Sequence, residues 1–241
     1  MTSYKNKKVL ITGASSGIGK ELVKQFAKLE CNIFITGRNV RALERLCETM
    51  RKSHPSSSVC FRATDLGDVS QIKSLIKDVR DTMGHIDILV NSAGIFPVNE
   101  IYDISIEEFQ NCFNINVLAP FILTQEFCQN MSFNKWGRII NIGSSSAYAG
   151  SPKTSAYCAS KHALLGLSRS LHKELKVNNV RVICVSPGSV QTPMGKKVEE
   201  LGQIYETFMD PEEVSKYIIE STSYDTQMVS EEIRLNRMEV Q

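Results

Sequence analysis

Short apolar runs alternate with longer amphipathic stretches along nearly the whole of this 241-residue chain. Lys8–Thr12, Cys31–Thr36, Val59–Ala63, Ile86–Val90, Arg138–Ile142, Arg181–Val185 and Glu232–Leu235 read as strands. Between them the apolar residues recur at helical spacing, as in Ile18, Leu22, Phe26 and Leu29 or Val69, Ile72, Leu75 and Ile76. Parallel strands need a crossover between them, and the crossover is a right-handed helix packed on the sheet. The expected fold is therefore α/β: a doubly wound parallel sheet of about seven strands with helices on both faces. No composition shift or linker divides the chain, so residues 1–241 are expected to form a single domain. Within it a division into halves is expected near residue 135, residues 1–135 and residues 136–241.

In open sheets of this kind ligands bind beyond the carboxyl ends of the strands. The polar and glycine-rich stretches fall there. Thr12-Gly13-Ala14-Ser15-Ser16-Gly17-Ile18-Gly19 leaves a strand and enters a helix directly. Glycine permits the tight reversal, and it lets a pyrophosphate approach the backbone amides of the helix N-terminus. The second strand ends at Gly37-Arg38, without the carboxylate that accepts from a ribose 2′-hydroxyl in NAD sites. Arg38 offers a guanidinium fork suited to a phosphate, so the reading is NADP(H); the plainer alternative is a solvated loop arginine. Asp65 follows the third strand, where it meets an adenine amino group or opens the next helix. Asn91-Ser92-Ala93-Gly94 ends the fourth strand in small residues, as a backbone lying close to a ligand requires.

The densest chemistry lies between Arg138 and Ser170, RIINIGSSSAYAGSPKTSAYCASKHALLGLSRS. A helix starting near Ser155 puts Tyr157 and Lys161 one turn apart on one face. An ammonium beside a phenol favours the phenolate, which would draw Tyr157 down toward neutral pH and make it a general acid. A packed tyrosine beside a solvated lysine is the bland alternative; Ser144, at the end of the preceding strand, brings a hydroxyl to the same point. Upstream, one helix is expected from Glu107 to Asn130, kinked at Pro120 so that the carbonyl of Asn116 is freed to hold water. The segment from Thr192 to Asp210 is short, so any lid over the substrate is expected to be small.

Composition narrows the function classes. A net charge of +2 with scattered Lys and Arg gives no case for nucleic acid or an anionic membrane surface, and no run approaches membrane-spanning length. The lysines at 5, 7 and 8 read as a solvated terminus rather than a targeting signal. Seven cysteines without a Cys-x-x-Cys pair read as small hydrophobes in a reducing, cytoplasmic setting. The four histidines have no metal-ligand spacing, so no metal site is expected.

With these residues in view, the sequence resembles a compact short-chain dehydrogenase/reductase of the Rossmann type, from Lys8 to Leu235. The motifs carrying the resemblance are T-G-x-x-x-G-x-G at Thr12–Gly19, N-x-A-G at 91–94, N-V at 116–117, Ser144, Y-x-x-x-K at 157–161, and the P-G at 187–188 with Thr192. The resemblance implies a carbonyl–alcohol oxidoreductase using NADP(H), similar to 3-oxoacyl carrier-protein reductases. Tyr157 would be its acid/base, Lys161 would grip the nicotinamide ribose, Ser144 would orient the substrate oxygen, and Asn116 would hold a relay water. The cofactor would lie along Gly13, Ser15, Ser16, Gly17, Ile18 and Gly19, Arg38, Asp65 and Leu66, Asn91, Ala93 and Gly94, Tyr157 and Lys161, and Pro187, Gly188, Val190 and Thr192.

The expected substrate pocket is Phe96, Tyr148, Met194 and Phe208, with Ile95, Ala147, Gly188, Tyr205 and Met209 around them. Mostly apolar with two phenols, it suits a small carbonyl or alcohol substrate such as a 3-oxoacyl thioester or another apolar ketone; a polar hydroxy acid or a pteridine is the alternative. The competing functional class is an NADP(H)-binding redox sensor without turnover, although such proteins commonly lose the tyrosine or lysine that this chain keeps. A nucleotide-sugar epimerase would need a larger C-terminal substrate domain. The resemblance implies a homodimer or homotetramer. Two positions depart from the family pattern: Ser92 stands where many relatives carry Asn, and residues 231–241 lack the Gly-Gly that many relatives place near the end of the last strand.

Overall fold

A computed structural model describes residues 3–199 and 201–238. Its centre is one parallel sheet of seven strands in the order β3-β2-β1-β4-β5-β6-β7. The strands are β1 (Lys8–Thr12), β2 (Asn32–Gly37), β3 (Val59–Ala63), β4 (Ile88–Asn91), β5 (Gly137–Ile142), β6 (Val180–Pro187) and β7 (Glu232–Leu235). Strand order reverses between β1 and β4, which opens a crevice beyond their carboxyl ends.

Successive side chains of a strand point to opposite faces, and here both faces are buried. Val9, Ile11, Ile33, Ile35, Ile88, Val90 and Ile140 face one core. It is closed by α1 (Gly17–Lys28), α2 (Val40–Ser53) and α8 (Pro211–Thr222) through Leu22, Phe26, Leu43, Val214 and Ile218. Leu10, Phe34, Leu89, Ile139 and Val182 face the other core, beneath α3 (Val69–Met83), α5 (Ala119–Phe133) and α6 (Ser155–Leu175). Each such side chain contributes roughly 1.5–3 kcal/mol by leaving water, which is why the sheet reads so clearly as apolar runs.

The amino ends of β5 and β6 are fastened by two arginines in register, Arg138 and Arg181. Arg138 is fully buried; its Nε donates to Thr222 O (3.2 Å), Nη1 to Gly137 O (2.9 Å), and Nη2 to Tyr224 O (3.3 Å) and Asp225 Oδ1 (2.8 Å). Arg181 donates to the carbonyls of Tyr224 (2.5 Å), Thr226 and Met228 (2.8 Å). Together they hold the chain between α8 and β7.

Three local features differ from the sequence reading. The expected single helix over 107–130 is α4 (Ile106–Phe113), a π turn (Asn114–Leu118) and α5. Pro120 lies in the first turn of α5, where proline costs little, and the irregularity in the helix is the π turn before it. A short helix, α7 (Pro193–Glu199), follows Thr192, and a single turn of 3₁₀ helix spans Tyr205–Thr207. Strand ends shift by a residue or two, the largest extension being β6 to Pro187. All seven cysteines are free thiols, five buried and Cys60 and Cys128 half-buried. Among the described residues no helix is long and apolar enough to cross a membrane, and no group of His, Cys, Asp and Glu is arranged to hold a metal.

Candidate active site

A cleft of about 450 Å³ lies along the carboxyl edge of the sheet. One end is built from backbone. Gly13 (φ +67°) and Gly17 (φ +55°) adopt left-handed conformations in the turn from β1 to α1. A Cβ on Gly13 would stand 2.7 Å from the backbone of Ala93, so the first and fourth strand ends touch through that missing side chain. Thr12 Oγ1 reinforces the contact by accepting from Ser92 N and Ala93 N, both at 3.1 Å. Ser15, Ser16 and Ile18 line the cleft beside these glycines. The Ser16 side chain does not cap α1, which leaves the helix's first amides open to the cleft.

Gly37 and Arg38 follow β2 at this end, and Asp65 and Leu66 follow β3. Arg38 is exposed and has no hydrogen-bond or ion-pair partner among the described residues. Asp65 Oδ1 accepts from Gly67 N at 2.9 Å, which shapes the loop. Thr64, a residue sequence reasoning passed over, is 2% exposed and lines the cleft with its hydroxyl unpartnered. Threonine at a strand end is too common to signal this on its own.

The other end is built from side chains. Ser144 is buried after β5, where its Oγ accepts from Ser146 N at 3.1 Å and caps a turn over Ser145–Ala147. Tyr157 and Lys161 lie on α6, both buried. The Tyr157 ring meets the edge or face of Phe96 at 4.6 Å and 78°. Lys161 Nζ donates to Ile142 O at 2.8 Å and lies 5.6 Å from the centre of the Tyr157 ring. Here the electrostatic expectation is overturned. Burial pushes the Tyr157 phenol up to about 12, against a smaller opposing pull from the Ser144 hydroxyl, and it pushes Lys161 down to about 8. Desolvation is the largest cause at both groups, which sit where a charge is poorly solvated.

Gly94, Pro187, Gly188, Val190, Thr192 and Met194 complete the walls. The segment after β6 is pinned by pairing with Met209: Gln191 N donates to Met209 O (2.9 Å), and Met209 N donates to Ser189 O (3.0 Å). Thr192 approaches so closely that a Cβ on Gly17 would lie 3.0 Å from its methyl.

Five expected site residues lie elsewhere. Gly19 packs behind the turn, where a Cβ would meet Gly13 O at 2.5 Å. Asn91 sends its amide under the floor to Asn141 Oδ1 (2.8 Å), and Asn141 in turn donates to Ser168 Oγ (2.9 Å). Asn116 lies below the cleft in the π turn. Its Oδ1 accepts from Ile95 N (2.9 Å), and its Nδ2 donates to Ile95 O (3.1 Å) and Ser160 Oγ (2.9 Å), so the side chain is occupied in holding that loop. Tyr148 points away from the cleft to Glu232 Oε2 (3.0 Å) on β7, with Arg234 3.9 Å over its ring. Phe208 is buried against Tyr205. Tyr148 and Phe208 are therefore not pocket residues, and Ala147, Tyr205 and Met209 do not line the cleft either. Their places are taken by Ser145, Ser146 and Ser151 on one side, and by Val198 and Leu201, on and beyond α7, on the other.

The family model described as short chain dehydrogenase matches residues 7–201. The chain belongs to the short-chain dehydrogenase/reductase family. It is 34% identical over 190 residues to a 3alpha-hydroxysteroid dehydrogenase of Mediterraneibacter gnavus, covering 79% of this chain and 76% of that protein. Among solved structures, L-sorbose reductase from Gluconobacter frateurii, complexed with NADPH and L-sorbose, is 26% identical with a TM-score of 0.88, over 98% of this chain and 96% of that one. A 3-oxoacyl-[acyl-carrier protein] reductase from Brucella melitensis, with bound NAD, is 25% identical with a TM-score of 0.85, over 97% and 90%. The protein is thus an oxidoreductase of this family, and nicotinamide cofactors are what these neighbours hold. Its own residues fit such a group. The Gly13 and Gly17 turn, the uncapped amides of α1 and the orphaned Thr64 hydroxyl make a long groove with donors along its length, ending at Tyr157.

Proposed function

We propose that this short-chain dehydrogenase/reductase interconverts a carbonyl and a secondary alcohol with NADP(H). One observation carries the reading: Tyr157, Ser144 and Lys161 converge, buried, at the inner end of the cleft whose outer end is lined by the Gly13–Ile18 turn and Arg38. A bound reduced nicotinamide supplies hydride to the carbonyl carbon. Tyr157, held in its protonated form by burial, donates the proton to the oxygen as negative charge develops there. Ser144 gives that oxygen a hydrogen bond. Lys161, whose Nζ donates to Ile142 O, would hold the ribose hydroxyls of the bound cofactor.

The choice of NADP(H) rests on Arg38, whose guanidinium has no partner among the described residues, and on Gly37, where a carboxylate would repel a 2′-phosphate. A homodimer or homotetramer fits the apolar surface of α4 and α5, where Ile106 is 72% exposed and Phe109 and Phe121 about two fifths.

The test is oxidation of NADPH and of NADH, followed by absorbance, against 3-oxoacyl thioesters, diketones, aldehydes, quinones and cyclic ketones. Turnover with NADPH well above that with NADH is the expected result. Tight NADPH binding with no turnover on any carbonyl would favour a sensor, and equal use of both cofactors would remove the phosphate role of Arg38.

A further inference from the structure

We infer that the reacting end of the cleft takes a neutral ketone with one oxygen-bearing edge and one hydrocarbon face, and that it rejects a ketone bearing a carboxylate. The inference rests on the reductase reading above.

The lining beyond Tyr157 is mixed. The loop after β5 presents Ser145, Ser146 and Ser151, and none of their hydroxyls has a hydrogen-bond partner among the described residues. Phe96, with Met194 and Val198 of α7, adds hydrocarbon to the same lining, and Gln203 beyond α7 accepts from the Ser189 hydroxyl at 2.8 Å. A ligand seated there meets serine hydroxyls as well as hydrocarbon. The phenols expected from the sequence play no part, since Tyr148 is committed to Glu232 and Tyr205 packs on Phe208.

Among the described residues only three ionisable side chains with a formal charge line the cleft: Arg38, Asp65 and Lys161. Arg38 and Asp65 follow β2 and β3, on the far side of the glycine turn. Lys161 is buried with its ammonium directed at Ile142 O. The arginines at the nearby end of β7 are also committed: Arg234 stacks on Tyr148, and Arg237 donates to Thr207 Oγ1 (2.5 Å) beside Phe208. A carboxylate brought here would lose water and find hydroxyls, with no cation among the described lining residues free to pair with it. An unpaired anion is the costliest thing to desolvate, whereas an ester of the same shape loses almost nothing. Unpaired serine hydroxyls, for their part, reward a substrate that carries oxygen and are left unmatched by one that does not.

A single ring scaffold separates these terms: cyclohexanone, 4-hydroxycyclohexanone, 4-oxocyclohexanecarboxylate and its methyl ester, each assayed at pH 7 with NADPH. The ester should exceed the acid in kcat/KM by about 100-fold. The hydroxyketone should exceed cyclohexanone by about tenfold, and Ser146→Ala with Ser151→Ala should lower kcat/KM for the hydroxyketone about tenfold more than for cyclohexanone. Val198→Lys, which adds an ammonium to the lining, should raise the acid relative to the ester by about tenfold; NADPH binding by that variant shows that it has folded.

An acid reduced as well as its ester, or a hydroxyketone no better than the parent, overturns the inference while the reductase reading stands. So does failure of all four ketones when another carbonyl is reduced. Failure of every carbonyl tried, with NADPH still bound, overturns the reductase reading itself and the inference with it.

Discussion

The two ends of β5 use the same polar chemistry to opposite effect. At the amino end Arg138 is fully buried, and each of its three nitrogens donates to a neighbour in the fold. Beyond the carboxyl end Ser144 is also buried, yet it lines the cleft, and the phenol of Tyr157 beside it is held neutral. A polar group that the fold saturates contributes stability and nothing else. One that the fold desolvates and leaves open is a group awaiting a ligand.

Substitutions at the two ends should therefore separate activity from stability. The largest effect is expected from Tyr157→Phe, which should lower carbonyl reduction by about 10²–10⁴-fold while the melting temperature and the NADPH dissociation constant stay close to the parent's. Weak cofactor binding in that variant would place Tyr157 with the structural residues instead. Arg138→Met should do the reverse, lowering unfolding free energy by about 3–5 kcal/mol in urea denaturation, with kcat per folded molecule unchanged. A drop in kcat would show that the two ends communicate.

Lys161 sharpens the contrast through pH. Its folded pKa is depressed to about 8 by burial, so its share of stability is present above the unfolded value near 10.5 and is lost as pH falls through about 8. Cofactor-free protein should gain at most about 3 kcal/mol over Lys161→Met between pH 8 and 10.5. A difference that is flat with pH would mean that the ammonium is solvated. Tyr157, raised to about 12, loses its share only as pH climbs from about 10 through 12, so alcohol oxidation, which needs the phenolate, should rise with pH across the neutral range. At the outer end of the cleft, Arg38→Asp should weaken NADPH binding by about 10–100-fold and leave NADH binding nearly unchanged, as read by cofactor fluorescence titration.

The sheet was legible because strands buried on both faces are continuous apolar runs, and the glycine turn because its neighbours in sequence are its neighbours in space. Arg38, Ser144, Tyr157 and Lys161 were legible for the same reason: each stands at a strand end or on the helix that follows one. What escaped depends on contacts between distant segments. Nothing local to Tyr148 says that Glu232 will take its hydroxyl, or that Phe208 will be covered by Tyr205. α7 is only seven residues long, too short for a periodic pattern to announce it. Desolvation of the Tyr157 and Lys161 pair is likewise a property of the packed core, and counting four residues along a helix gives only their proximity.

The π turn at Asn114–Leu118 can be put in terms of length. A π turn takes up one residue more than α geometry does, so the stretch from α4 to α5 carries a surplus position. Removing one residue there would let the two helices run together as a regular α-helix, with the side chains beyond the deletion keeping their faces because the π turn had already taken up the surplus. Asn116 and its grip on Ile95 exist only at the longer length. A shorter relative could have the sturdier helix and still lack this seam beneath the cleft, so chain length at this point, rather than the asparagine alone, decides whether the loop beside Phe96 is held.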